Sequence, residues 1–111
     1  MTYKPRTTRR TNLAPILKGG WSFKNTTGSL QGGSVDAFAH DCYGRTEGWL
    51  GGDDLAAWRR DRDDVLYVVT SYATPIAWRT TSGWHVVAQR FSTTTSCHQS
   101  QVRQGLADII G

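Results

Sequence analysis

Thr94, Thr95, Ser96 and His98 place three hydroxyls and an imidazole within five consecutive residues, and Tyr72 and Thr74 supply two more hydroxyls upstream. Such a set invites nucleophilic catalysis, in which an imidazole about 3 Å from a hydroxyl takes its proton and a third group orients the ring. Imidazole titrates near neutral pH, which suits a base. The spacing argues against that chemistry. Ser96 and His98 stand at i and i+2, positions that do not face each other on a helix. The acid downstream, Asp108, lies ten residues beyond His98, and no acid occurs from Ile76 to Arg90. The cluster is therefore expected to be structural: Ser96 caps a helix, His98 donates to a carbonyl under a bend at Tyr72–Pro75, and the other hydroxyls bond nearby backbone. A second reading makes the helix start an anion seat, with Arg79 or Arg90 as charge partner. A small hydrolase or nuclease centred on His98 is the weaker alternative.

Other chemistry-bearing residues are sparser. His40-x-Cys42 and Cys97-His98 lack the two-to-four-residue separation usual in zinc ligand pairs. Neither a metal nor a cofactor is expected, and two cysteines make no disulfide framework. His85 reads as a solvent-facing strand residue. Charge is more telling. Residues 1–35 carry Lys4, Arg6, Arg9, Arg10, Lys18 and Lys24 without an acid, whereas residues 36–64 hold eight acids against four arginines. The net charge of +4 therefore belongs to the front of the chain. A basic arm with Lys4, Arg6, Arg9 and Arg10 on phosphates is the expected nucleic-acid contact.

The elements that must position these groups follow from pattern. The 111 residues suit one domain, divided here into a basic arm and anchor over 1–18 and a single α+β domain over 19–111. Met1–Thr11 has no apolar periodicity and reads as extended, with Leu13, Ile16 and Leu17 anchoring its end. Trp21 and Phe23 alternate with Ser22 and Lys24 as in a half-buried strand. Asn25–Gly28 is turn chemistry with Gly28 at positive φ, and Ser29–Val35 returns as a glycine-interrupted strand. Asp36–Gly52 reads as a long loop pegged by Phe38, Tyr43 and Trp49. Asp53 or Asp54 is expected to cap a short helix through Arg62, with Leu55 and Trp58 inward.

Val65–Tyr72 is a nearly continuous β-branched and aromatic run, as a central strand requires. Pro75 lacks a ladder donor, so the chain changes direction near Ala73–Thr74. Ile76–Thr80 and Trp84–Arg90 then form a hairpin about Ser82-Gly83, with Ile76, Trp78 and Thr80 on one face. Ser96 and Gln99 fit a capping box, and Val102, Leu106, Ile109 and Ile110 form the helix's apolar stripe. Gly105 weakens that helix. The expected architecture is α+β: a small antiparallel sheet of four to five strands with one or two helices packed on one face.

Two motifs, SYATPIAW (Ser71–Trp78) and FSTTTSCHQ (Phe91–Gln99), resemble a small domain of unknown function found in bacteriophage and actinobacterial proteins. Its pattern is S-Y-x-T-P-[IV]-A, a hairpin, then [YF]-S-x-T-T-S-x-H. WSFKNTTGSLQGG (Trp21–Gly33) is similar to the N-terminal segment of the phage members. The resemblance implies a phage accessory gene and brings no assigned chemistry.

No apolar run approaches the ~20 residues of a membrane-spanning helix, and the basic N-terminus lacks the apolar core of a secretory signal. A cytoplasmic protein without a membrane partner is expected, in the host bacterial cytoplasm if phage-encoded. The functional expectation is a phage-type accessory protein without catalytic activity that binds a host macromolecule, nucleic acid being favoured. The alternative is an inhibitor or modulator of a host enzyme, contacting it through the Phe38–Trp49 loop and the sheet edge.

Overall fold

A computed structural model describes residues 6–8, 11–34, 50–72, 74–89, 91 and 93–110 of the chain. They form six strands, β1 (Arg6–Thr7), β2 (Phe23–Asn25), β3 (Leu30–Ser34), β4 (Tyr67–Ser71), β5 (Thr74–Thr80) and β6 (Gly83–Val86). Three helices accompany them: α1 (Ala14–Gly19), α2 (Gly52–Asp61) and α3 (Thr93–Ile110). The strands lie in sequence order in one sheet, antiparallel except for the parallel β1–β2 pair. The α+β class is as expected, with one strand and one helix more. Both additions come from short segments without periodicity: β1 has two residues, and α1 is a six-residue turn opened by Pro15.

All five residues of β4 are buried, as its β-branched run demands. Successive strand residues face opposite sides, and the core divides accordingly. Tyr67 and Val69 pack with Leu13, Leu17, Val102 and Leu106, from α3 and the α1 region. Val68 packs with Ala57, Trp58, Trp78 and Val87, on the α2 side. The expectation of helices on one face is thus corrected, because a strand buried on both sides needs cover on both.

Turns and close approaches fix the register. Gly28 takes φ 78° where the Asn25–Gly28 turn closes. Gly32 is buried beneath the Phe23 ring, which a methyl group there would overlap. Ser71 pairs with Thr74, and a bulge at Val69/Thr70 sets Thr70 opposite Pro75. The bulge moves Ile76 to the α3 side, so Ile76 and Trp78 do not share a face as strict alternation predicts. Gly105 has a packing reason: a Cβ there would lie 3.1 Å from the Ala14 nitrogen and from Leu13 Cβ. Glycine lets the start of α1 seat against α3, at the cost in helix propensity that the sequence implies.

Candidate functional site

His98 projects from the second turn of α3 toward the end of β4. Its Nδ1 lies 2.8 Å from Ser71 Oγ, which is also 3.0 Å from Thr95 Oγ1. Thr95, His98, Gln99, Val102 and Leu106 are all buried and follow helical spacing along one side of α3. Helical geometry therefore delivers Thr95 and His98 to the same serine. Burial disfavours the imidazolium and holds the His98 pKa below its ordinary value.

One edge of His98 borders an open cleft of about 440 Å³. Thr94 of α3 and Tyr72 of the β4–β5 turn line one part of it, and Thr8, after β1, lines another. The remaining wall is the β2–β3 loop, through Asn25, Thr26, Thr27 and Ser29. That loop is braced internally. Asn25 donates from Nδ2 to Ser29 Oγ at 3.0 Å, and its Oδ1 accepts from the Leu30 N–H at 3.1 Å. Thr27 and Ser29 share a hydroxyl hydrogen bond of 2.8 Å. It is also tied to its neighbours, since the Thr26 N–H donates to the Thr7 carbonyl and the Tyr72 N–H to the Ser29 carbonyl. No carboxylate or cationic side chain lines the cleft among the described residues.

Tyr72 is the unusual member. Its φ is +50°, a left-handed conformation rare for a bulky side chain, and the residue is 59% exposed. The ring centroid stands 6.2 Å from that of His98, tilted by 38°.

The expected site residues divide as follows. Tyr72, Thr94 and His98 line the cleft, Thr95 backs it, and Thr74 pairs with Ser71 beside it. Ser96 does not cap the helix, because α3 begins at Thr93 and puts Ser96 inside the first turn. Its capping-box partner Gln99 is instead buried, donating Nε2 to the Val87 and Gln89 carbonyls. His98 meets the Ser71 hydroxyl rather than a carbonyl. Arg79 is exposed on β5 about 16 Å along the strand from Thr74, and it does not line the cleft. Arg90 lies outside the described residues, as do Lys4, Arg9, Arg10 and the loop pegs Phe38, Tyr43 and Trp49. Arg6 is exposed on β1, whose neighbour Thr7 is fully buried, so this part of the arm belongs to the sheet.

Ser71 and the Asn25–Ser29 wall are absent from the expected site residues, though both lie inside the motifs SYATPIAW and WSFKNTTGSLQGG. His85 is not the solvent-facing strand residue expected from its pattern. That residue is half-buried, stacked on Trp78 with centroids 4.7 Å apart, and its Nε2 is 3.0 Å from Asp54 Oδ1. The acid comes from α2 and is invisible from the hairpin itself. Asp54 likewise is no cap. Gly51 occupies the N-cap position, and the buried Asp54 carboxylate accepts from the Ala88 and Gln89 N–H groups at 3.2 and 2.9 Å.

Chemically, Ser71 and His98 are within the distance of a nucleophile and its base, yet Ser71 is only 1% exposed. A sealed hydroxyl serves as an orienting partner, while the cleft offers hydrogen-bonding groups and one aromatic face. Among the described residues no group of three potential metal ligands occurs, and no helix is long and apolar enough to cross a membrane.

The family model for the family of unknown function DUF8033 matches residues 11–109. The chain belongs to that family. No curated protein and no solved structure matches it. The DUF8033 match spans three of the four segments that line the cleft, the exception being Thr8.

Proposed function

We propose that this DUF8033 protein is a phage-type accessory protein without catalytic activity that binds nucleic acid in the host cytoplasm. Lys4, Arg6, Arg9 and Arg10 contact phosphates. The observation that carries the reading is the acid-free N-terminal third, with six cationic residues before residue 36. The basic segment has a firm base. The Thr11 N–H donates to the Thr8 carbonyl at 3.0 Å, and Gln101 Nε2 of α3 donates to the carbonyls of both Thr8 and Thr11. Thr8 also borders the cleft, so the basic segment and the polar cleft meet at one residue.

Salt titration tests this. Four neutralised phosphates give a log–log slope of about −3.6 on duplex DNA and about −2.8 on a single strand. A variant with Lys4, Arg6, Arg9 and Arg10 all changed to Gln keeps the backbone intact and loses most of that slope. Salt-independent binding, or the same slope in the variant, refutes the phosphate role. Retention of a host protein from nuclease-treated lysate, with no nucleic acid bound, moves the assignment to a protein target.

A further inference from the structure

We infer that the cleft seats the ribose of a single-stranded RNA, with the attached base stacked on Tyr72. This rests on the nucleic-acid reading above and narrows it to one polymer. The volume of about 440 Å³ falls in the range of small-ligand sites, about 300–1,000 Å³. Its described walls carry hydroxyl, amide and imidazole groups and no formal charge. A sugar hydroxyl is well matched to these walls. Serine and threonine hydroxyls donate and accept, and the ribose 2′-OH does both as well. Deoxyribose offers no such group at that position.

His98 is prepared for the same partner. The hydrogen bond between Nδ1 and Ser71 Oγ fixes the ring of this cleft-lining residue, and Nε2 is the nitrogen left for a ligand. If Ser71 donates to Nδ1, Nε2 carries the proton and donates. If Nδ1 donates to Ser71, Nε2 accepts. A hydroxyl satisfies either tautomer.

Tyr72 supplies the stacking face. Backbone strain of this kind persists only where surrounding structure enforces it, and here the Ser29 carbonyl holds the Tyr72 N–H at 2.9 Å. The result is an aromatic ring presented to solvent at the cleft rim. Base–aromatic stacking tolerates any base, so it suits single strands without strict sequence choice.

The test is fluorescence anisotropy on the full chain with one short single-stranded sequence made as RNA, as DNA and as 2′-O-methyl RNA. RNA is expected to bind about tenfold or more tightly than DNA, with the 2′-O-methyl form weaker than RNA because its oxygen still accepts but no longer donates. Tyr72→Asn keeps a residue tolerant of left-handed backbone and removes the ring. It is expected to weaken RNA binding about tenfold while leaving the melting temperature unchanged or higher. Equal affinity for RNA and DNA overturns this inference and leaves the basic-arm reading standing. Binding of neither polymer overturns both. Full competition by free uridine at the oligomer's own affinity overturns the polymer assignment, because the site would then belong to a nucleoside.

Discussion

Replacing Ser71 with Ala removes one oxygen that serves two buried partners, His98 Nδ1 at 2.8 Å and Thr95 Oγ1 at 3.0 Å. Alanine fits the space, so the cost is polar. Stranding a buried donor or acceptor costs roughly 1–3 kcal/mol, and losing an ordinary hydrogen bond roughly 0.5–1.5 kcal/mol. Thr95 has a further interaction, so the stranding falls chiefly on the imidazole. The sum is about 1.5–4.5 kcal/mol. For a domain of this size 1 kcal/mol moves Tm by about 4–8 °C, so a drop of at least about 6 °C is expected. Urea and thermal denaturation of Ser71→Ala, His98→Leu and the double variant form a cycle. In the double variant neither polar atom is left stranded, and a coupling of about 0.5–3 kcal/mol is expected. A Tm change below about 2 °C for Ser71→Ala, or strict additivity in the cycle, would falsify the seam as a stabilising contact.

Two further outcomes test neighbouring groups. Asp54→Ala strips acceptors from the Ala88 and Gln89 N–H groups and from His85 at once. A loss of about 2–4 kcal/mol is expected, with faster amide exchange at Ala88 and Gln89; unchanged exchange there contradicts the clamp. The pH dependence follows from His98, whose folded pKa is lowered by burial. The unfolded chain then takes up the proton first, so stability is level above about pH 6.5 and falls as pH drops below it. Asp61 acts lower, because its hydrogen bond from Arg60 depresses its pKa and its contribution is lost only below the ordinary carboxylate range. Urea midpoints at about pH 7.5 and 5.5 should therefore differ more in the native chain than in His98→Gln. A variant slope as steep as the native one removes His98 from the account.

Local pattern made some of this fold legible. Val65–Tyr72 announced a central strand by its nearly continuous β-branched and aromatic run, though not that helices would cover both its faces, and the Val102–Leu106 stripe announced a helix. Pro75 announced a change of direction. What stayed hidden depended on partners distant in sequence. Asp54 looks like a helix cap because acids near a helix start usually are, but Ala88 and Gln89 offer it two N–H groups whose own strand has just ended. Ser96 and Gln99 look like a capping box, yet the carbonyls of that same Val87–Gln89 segment draw Gln99 inward. Arg6–Thr7 has no pattern of its own and becomes a strand by pairing with β2. The site was half legible: the motif residues were visible as a group, whereas which hydroxyl met the imidazole was decided by the β4 register.

The two halves of the site depend on a single turn. Strand alternation sends the Ser71 side chain toward α3, where it orients His98. At the next residue the backbone switches to φ +50°, and the Tyr72 ring leaves the sheet for solvent instead of packing beneath it. One residue thus fixes the imidazole and its neighbour presents the aromatic face, with the Ser29 carbonyl locking the switch. Loosening the inner residue should therefore be felt in the cleft. Ser71→Ala lets the imidazole rotate, so a ligand held by Nε2 loses affinity even at temperatures where the variant remains fully folded. A Tyr72 variant alters stacking and leaves His98 in place. Ligand affinity and folding stability are accordingly expected to fall together for Ser71, whereas for Tyr72 affinity falls and stability does not, a contrast that a merely structural hydroxyl cluster does not produce.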